Sequence, residues 1–412
     1  MDVLHQQTVV IGAGIQGCTI AYRLACEGRD VLLLDRAQPG IAGASFGNAG
    51  RIAVELVQPI PSPRLLLSFW RDLFAFGGSL DLPLARAPHF APWALRFARA
   101  AFRRRANTDA LVPIVRDGVD RWAALLAEVG RSDLLAKAGH YHFWTGSNAE
   151  RCAQTDALSF EAVGVPSEPA GRDVLRLLRR ISTSDNVAGR YYADSAHAID
   201  PAQICAVLVQ AAMARGANFR QTEVRSLSPG AEGQIEVRFD DQCIMADEAI
   251  VCSGAESIAM LARFGVRAPI EPARGYHVEL PGHEDHFGAS AIFMDSHLAV
   301  TPMAGRVRAS GFLDFADHDA PADRRKEQRL LKSLRALGYD CSEYRCWHGS
   351  RGMLPDTLPG VGRGRTPHRL FYAVGGQMIG LTIAATVADM MRDLVLQGRA
   401  EHAAPFDLAR FG

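Results

Sequence analysis

Thr8-Val9-Val10-Ile11-Gly12-Ala13-Gly14-Ile15-Gln16-Gly17, near the start of a 412-residue chain, decides the fold. A short run of β-branched residues reads as a buried strand, and the glycines that follow fit G-x-G-x-x-G. Each glycine has a physical job. Gly12 permits a tight turn out of the strand, Gly14 lets backbone amides approach a pyrophosphate, and Gly17 lets the next helix pack closely on the strand. That helix would place its N–H groups and partial positive charge, at Ala13, Ile15 and Gln16, against the phosphates. Asp35 follows Gly12 by 23 positions, at the end of the next apolar run, where its carboxylate can accept from both ribose hydroxyls. Strand, glycine turn, helix, strand and acid together predict a Rossmann-like dinucleotide site. The pattern leaves FAD and NAD open. Asp35 argues against NADP, whose 2′-phosphate it would repel, although the adjacent Arg36 pulls the other way.

Working outward, the first helix is expected from about residue 15 to 27, closed by Gly28, and the second strand at 31–34. Strands are expected at 139–144, 219–227, 235–239, 249–252 and 370–374, and dominate from about 266 to 313. Helices are expected at 94–105, with Leu95, Ala98 and Phe102 on one packed side, and at 109–129, 202–215, 322–337 and 379–397. Prolines 59, 61, 63, 83, 88 and 92 break up the segment between the first unit and these helices. Apolar runs of parallel-sheet type sit at both ends and in the middle, with antiparallel-looking pieces between them. The expected fold class is α/β: a Rossmann-like nucleotide domain in discontinuous segments (1–85, 190–260 and 340–412). A second α+β domain with an antiparallel sheet (86–189 and 261–339) is inserted into it.

Composition narrows the function. Lys plus Arg and Asp plus Glu both number 45, so the zero net charge offers no case for a nucleic-acid partner. The eight cysteines form no C-x-x-C pair and read as reduced structural thiols of a cytoplasmic protein. His140 and His142 share one strand face, and His283 and His286 sit close together. Neither pair has a convincing third ligand, so no metal is expected. No signal segment and no apolar run of about 18 residues is seen.

Further motifs resemble, in order along nearly the whole chain, the D-amino-acid dehydrogenase family within the D-amino-acid oxidase-like superfamily. They are Ser45-Phe46-Gly47-Asn48-Ala49-Gly50, the stretch Ala193 to Pro201, and Pro272-Ala273-Arg274-Gly275-Tyr276. Trp347-His348-Gly349-Ser350-Arg351 with Pro355-Asp356 and Leu358-Pro359 follows, and last Gly375-Gly376-Gln377-Met378-Ile379-Gly380-Leu381-Thr382. The resemblance implies dissociable, non-covalent FAD. It implies that Ser45, Asn48, Ala49 and Gly50 lie against the flavin, with Val224 at the adenine and Gly254 near the cofactor. It also implies that Arg351 and residues 376–382, opening the last helix, meet the flavin. That helix terminus would stabilise charge developing on the ring's pyrimidine end. The chain departs from the family at Gly352 (usually Pro), Thr357 (commonly Gly), Asp314 (commonly Glu), and at Gly-Gly-Gln-Met, where Gly-His-Gly-Thr is frequent.

The implied reaction is oxidation of a small amino or imino acid of the D-amino-acid, D-proline or hydroxyproline type. Hydride passes from the amine-bearing carbon to flavin N5 and an imine results. Such chemistry needs a flat ring, a carboxylate clamp and an unprotonated amine, but no Ser-His-Asp or paired-carboxylate constellation. Arg351 is the expected clamp, because a guanidinium grips a carboxylate with two parallel hydrogen bonds. Tyr276 is the second candidate, as an O–H donor. Arg274 and Arg51 are further substrate candidates, and Asn48 is expected to wall the pocket. Oxygen, a quinone or another redox protein would take the electrons. The aromatic and basic stretch Arg64 to Arg105 could touch the inner face of a membrane or simply pack the substrate domain. A 2-hydroxyacid dehydrogenase and a flavin subunit of an electron-transfer or tRNA-modifying complex remain alternatives.

Overall fold

The computed structural model describes residues 4–182, 184–240, 242–283, 285–316, 320–366 and 368–412. Strand Leu4–Ile11 leads through the glycine turn into helix Ile15–Cys26 and strand Val31–Asp35. The turn forces Gly12 to φ +106°, and a Cβ there would lie 2.7 Å from the Cys252 carbonyl oxygen. Helix Ile15–Cys26 starts from extended Gly14 and ends where Gly28 turns left-handed at φ +72°.

The first sheet is parallel at its centre. Strands Asn218–Gln221, Val31–Asp35, Leu4–Ile11 and Gln242–Val251 follow one another in that order. The second half of Gln242–Val251 also pairs in parallel with Arg369–Val374, through Glu248↔Arg369 to Val251↔Tyr372. Its first half pairs antiparallel with Ile235–Phe239, which pairs with Val224–Pro229. Both faces are covered. Ile15–Cys26, Pro201–Met213 and Gly380–Gln397 pack on one face, and an apolar cluster including Leu227, Val237, Phe264 and Leu370 fills the other. Pro201–Met213 begins where expected because Asp200 accepts from the amides of Ala202 (3.0 Å) and Gln203 (3.2 Å), with Pro201 at its first position.

The second sheet is mostly antiparallel and runs Arg345–Met353, Glu271–Pro281, Arg306–Asp314, Leu298–Met303, Ser290–Phe293, His140–Thr145, Val187–Tyr192, Glu168–Pro169. Ser290–Phe293 pairs in parallel with His140–Thr145, and the short strand Leu80–Asp81 adds in parallel to Arg306–Asp314. Helix Arg324–Ala336 packs on it.

Two expectations change. The helix read at 94–105 runs from Ala87 to Ala100, straight through Pro92. Its buried residues are Trp93 and Ala100, whereas Leu95 and Phe102 are 53% and 77% exposed. The face with Phe90, Trp93 and Phe97 packs inward instead, at helical spacing, because Trp93 donates Nε1–H to the Met353 carbonyl at 3.1 Å. The segment 109–129 is two helices, Arg104–Val115 and Gly118–Glu128. Both pack on Gly380–Gln397, and Trp122 donates to the Leu381 carbonyl at 2.7 Å. This stretch, assigned by sequence to the second domain, therefore joins the apolar core of the first sheet.

Candidate active site

Between the two sheets lies a cavity of about 870 Å³ that runs from the glycine turn to the strand carrying Arg351. At one end, Gly12, Gly14, Ile15, Gln16, Asp35, Arg36, Val224 and Gly254 line it. Asp35 accepts from the Ala13 amide (2.6 Å) and the Ala37 amide (2.9 Å), which fixes its carboxylate beside the turn. Arg36 is held by Glu256 in a two-point ion pair. That pairing weakens its attraction for a 2′-phosphate. Gly17 does not line the cavity; a Cβ there would overlap the Gly12 carbonyl, so its role is close packing of helix on strand.

In the middle, Ser45, Asn48 and Ala49 face Gly375, Gly376, Gln377, Met378, Gly380 and Leu381. Ser45 Oγ accepts from the Ile15 amide at 2.9 Å, tying the second motif to the first helix. Asn48 Oδ1 accepts from the Gly50 amide at 2.8 Å, and Gly50 turns at φ +74°. Asn48 therefore shapes the loop as well as lining the cavity. Ile379 and Thr382 are buried behind this wall, and Thr382 Oγ1 accepts from the Ala53 amide at 2.9 Å. Gln16 bridges to the last helix by donating Nε2–H to the Gly380 carbonyl at 2.9 Å.

The departures from the family pattern acquire a geometry here. Thr357 and Gln377 stand where glycine is frequent, and both are left-handed, at φ +56° and +54°. A β-branched residue in that region is strained. Thr357 stays because its Oγ1 accepts from the Ile60 amide at 3.1 Å and its own amide donates to the Leu354 carbonyl at 3.0 Å.

The cavity residues fit FAD. The turn and the Gly17 contact leave room only for glycine, amides converge at a helix start, and the trough is continuous with a second wall of backbone at 375–381. Two buried acceptors, Gln16 Oε1 and Gln377 Oε1, have no partner among the described residues and belong to residues that line the cavity.

Three guanidinium groups among the described residues line the cavity: Arg36 at the nucleotide end, and Arg51 and Arg351. Arg36 is paired as described. Arg51 is buried and pairs with Glu55 at 2.5 Å, with His140 Nδ1 at 3.1 Å from the same nitrogen. Glu55 also accepts from Ser195 Oγ at 2.5 Å and lies 3.3 Å from His142 Nε2. Burial opposes the Glu55 charge, but the neighbouring His140 and Arg51 hold its carboxyl well below the usual range. Burial also works against a charge on His142, but its hydrogen bonds to Asp156 and Glu55 raise its pKa. Arg51 is thus a network arginine, and its place as a substrate ligand is not supported.

Arg351 differs. Among the described residues no carboxylate pairs with it, and its one hydrogen bond is a long 3.5 Å contact from Nη1 to the Phe312 carbonyl. Burial pushes its pKa down with nothing to offset it. Such a guanidinium is poised for an anion supplied from outside.

The other two substrate candidates are elsewhere. Tyr276 is buried off the cavity; its hydroxyl donates to Asp314 Oδ2 (2.9 Å) and accepts from the Asp323 amide (3.2 Å). Burial and the Asp314 charge raise its pKa. Lys326 closes this network on Asp314 (2.9 Å) and Asp81 (2.7 Å). Arg274 is buried and donates to the Pro321 carbonyl at 3.0 Å. Both corrections have one cause. On strand Glu271–Pro281 these side chains project toward the helix side, away from the face bearing Arg351's head group.

Sequence reasoning missed Arg308, which is buried and donates to the carbonyls of Phe46 (3.0 Å) and Asn48 (2.5 Å) while paired with Glu279 at 2.5 Å. It fastens the second motif to the second sheet. It also missed Trp347, which fills the space where a Cβ on Gly47 would sit. An arginine in a strand otherwise rich in small and apolar residues was the only signal for the first.

Comparison with known proteins identifies the chemistry. Residues 7–394 match the DAO family model, described as FAD dependent oxidoreductase. The chain belongs to this family. It is an FAD-dependent oxidoreductase. Among curated relatives, D-amino acid dehydrogenase 2 of Mesorhizobium japonicum is 25% identical, over 95% of this chain and 97% of that one. D-amino acid dehydrogenase of Cereibacter sphaeroides is 28% identical, over 97% and 94%. The fold is shared with glycine oxidase from Geobacillus kaustophilus (TM-score 0.77, 18% identity, 99% of both chains). It is shared also with L-proline dehydrogenase from P. horikoshii (TM-score 0.73, 19% identity, 99% and 98%).

Proposed function

We propose that this DAO-family protein dehydrogenates a D-amino acid or a cyclic imino acid of the D-proline or hydroxyproline type, giving the imine. The observation that carries this reading is Arg351, the one cavity-lining arginine without an acidic partner among the described residues, in the same cavity as the dinucleotide turn. Arg351 receives the substrate carboxylate by two parallel hydrogen bonds and so fixes the carbon that is oxidised. When bound, FAD supplies the two-electron acceptor. Gly12 to Gln16 with Asp35 and Val224 would hold its nucleotide half, and Ser45 to Ala49 with Gly375 to Leu381 would hold its ring. Asn48 and Arg308 act as positioning residues for that wall. Loss of the amine proton goes to solvent, since no described carboxylate stands beside Arg351. The segments 1–85, 190–260 and 340–412 form the FAD-binding domain, with 104–128 added by packing, except that strands Leu80–Asp81 and Arg345–Met353 pair into the second sheet and go with the rest to the substrate domain.

The exposed face of 64–105 supports a peripheral contact with an anionic membrane. It carries six exposed arginines (Arg64, Arg71, Arg96, Arg99, Arg103 and Arg105) against the partly buried Asp72 and Asp81, and leaves Leu67, Phe76 and Phe102 exposed. Among the described residues no helix is long and apolar enough to cross a membrane. A quinone is then the acceptor this surface favours over oxygen or a redox protein.

The test is anaerobic reduction of the yellow holoprotein by D- and L-amino acids, imino acids and 2-hydroxyacids. Bleaching by an amino or imino acid is expected. Bleaching by hydroxyacids alone overturns the amine reading.

A further inference from the structure

We propose that the substrate-binding wall beside Arg351 selects amino acids with a bulky apolar side chain, aromatic ones above all, over glycine-, alanine- or proline-sized substrates. This rests on the reading of Arg351 as the carboxylate clamp. Arg351 stands two residues before Met353, whose carbonyl accepts the Trp93 indole N–H at 3.1 Å. Helix Ala87–Ala100 is therefore docked against the clamp strand itself. Along its inner face, Trp93 stacks with Phe90 (ring centroids 5.0 Å, planes at 28°) and with Phe97 (5.3 Å, 20°). Phe315 closes on the same pair at 5.0 Å from Phe90 and 5.6 Å from Trp93. These four rings line the cavity; Phe312 also reaches it, with its carbonyl meeting Arg351 while its ring packs on Phe74 and Tyr276, away from this wall.

The chemistry of this wall is one-sided. It offers ring faces and edges and a single cation. Other ionisable groups on the lining include His348, on the same strand as Arg351 and with its pKa lowered by burial, and Asp72 and His297, which lie 3.6 Å from each other. A ligand with a carboxylate on Arg351 thus has its side chain among rings that present no partner for a charged or strongly polar group. A benzyl, indolyl or isobutyl group would cover these rings. A methyl group or a proline ring would leave apolar surface against water, which binding energy cannot then use. Phe90 and Phe97 are only half-buried in the protein alone, so they retain surface for a ligand to cover.

The experiment uses the FAD-loaded full chain under anaerobic conditions and follows bleaching by both enantiomers of phenylalanine, leucine, alanine and proline, with glycine. We expect kcat/KM for phenylalanine to exceed that for alanine by about a hundredfold, from the extra apolar area buried. Ala94→Trp, which projects a ring into the same wall, should lower kcat/KM for phenylalanine at least tenfold and leave alanine nearly unchanged. Should Ala94→Trp fail to fold, Phe97→Ala reads the same wall by narrowing the preference for phenylalanine over leucine. Fastest bleaching by proline, alanine or glycine, or equal effects of Ala94→Trp on all substrates, overturns the inference while leaving amine oxidation intact. Bleaching by no amino or imino acid defeats the underlying reading instead.

Discussion

Replacing Arg351 by methionine should weaken substrate capture and at the same time stabilise the substrate-free protein. The two effects follow from one fact. Arg351 has a charge, burial that lowers its pKa, one long contact to a carbonyl, and no acid beside it. For a bound carboxylate it would supply two charge-assisted hydrogen bonds, so its removal should cost about 3–4 kcal/mol of transition-state binding, roughly two to three powers of ten in kcat/KM. Without substrate the same charge is uncompensated, and an apolar side chain of similar length removes its desolvation cost. A gain of up to about 1 kcal/mol corresponds to a rise of about 1–2 °C in Tm for a chain of this size. The assay is steady-state kinetics with an artificial acceptor, alongside thermal melting of FAD-saturated protein without substrate. An arginine serving a structural ion pair would behave in the opposite way. Unchanged kcat/KM, or a Tm that falls by several degrees, would refute the reasoning.

Four further outcomes are expected. Gly17→Ala places a Cβ on the Gly12 carbonyl and should push the first helix off its strand, so the purified variant should be colourless and take up no added FAD; a yellow variant of normal affinity contradicts the close-packing role. Tyr276→Phe removes the hydroxyl between Asp314 and the Asp323 amide and should cost about 1–2 kcal/mol of stability with KM unchanged; a large KM increase would restore Tyr276 to the substrate site. His197 and His277 are held neutral by burial, with pKa values lowered from 6.5 to about 4 and about 3. Between those values and 6.5 the unfolded chain binds more protons than the folded one, so stability present above pH 6.5 is lost as pH falls, by on the order of 3 kcal/mol from His197 and about 5 kcal/mol from His277 when complete; a Tm constant from pH 7 to 4 would show the assignment to be wrong. Finally, the protein should co-sediment with vesicles rich in anionic phosphatidylglycerol but not with neutral ones, and charge reversal at Arg96, Arg99 and Arg103 should abolish this; equal binding to both vesicles would speak against an electrostatic membrane contact.

What was legible in the sequence, and what was not, divides along a physical line. The turn Gly12 to Gly17, the helix after it, Asp35, and the parallel strands around Ile250 and Phe371 are set by local demands. Positive φ, close backbone approach, a helix start and burial on both faces each restrict the residue at the position itself, so one chain suffices to read them. The helix at Ala87–Ala100 was legible as a helix but not in its orientation, because two of its sides are apolar and the choice between Leu95 and Trp93 was made by the distant Met353 carbonyl.

The substrate end depended on tertiary contacts throughout. Arg51, Arg274, Tyr276 and Arg351 are comparable candidates as residue types. What separates them is which polar groups the fold brings to each: Glu55 to Arg51, the Pro321 carbonyl to Arg274, Asp314 and the Asp323 amide to Tyr276, and none that is charged, among the described residues, to Arg351. A side chain's freedom to meet a ligand is set by partners that only folding delivers, from four positions away for Glu55 to 47 for Pro321 and Asp323, since burial makes every unmatched polar group costly and the fold decides which are matched. The sequence by itself therefore determined the nucleotide-binding half and its chemistry. Only the tertiary structure decided which arginine is left facing the cavity, and what kind of side chain its surroundings can accept.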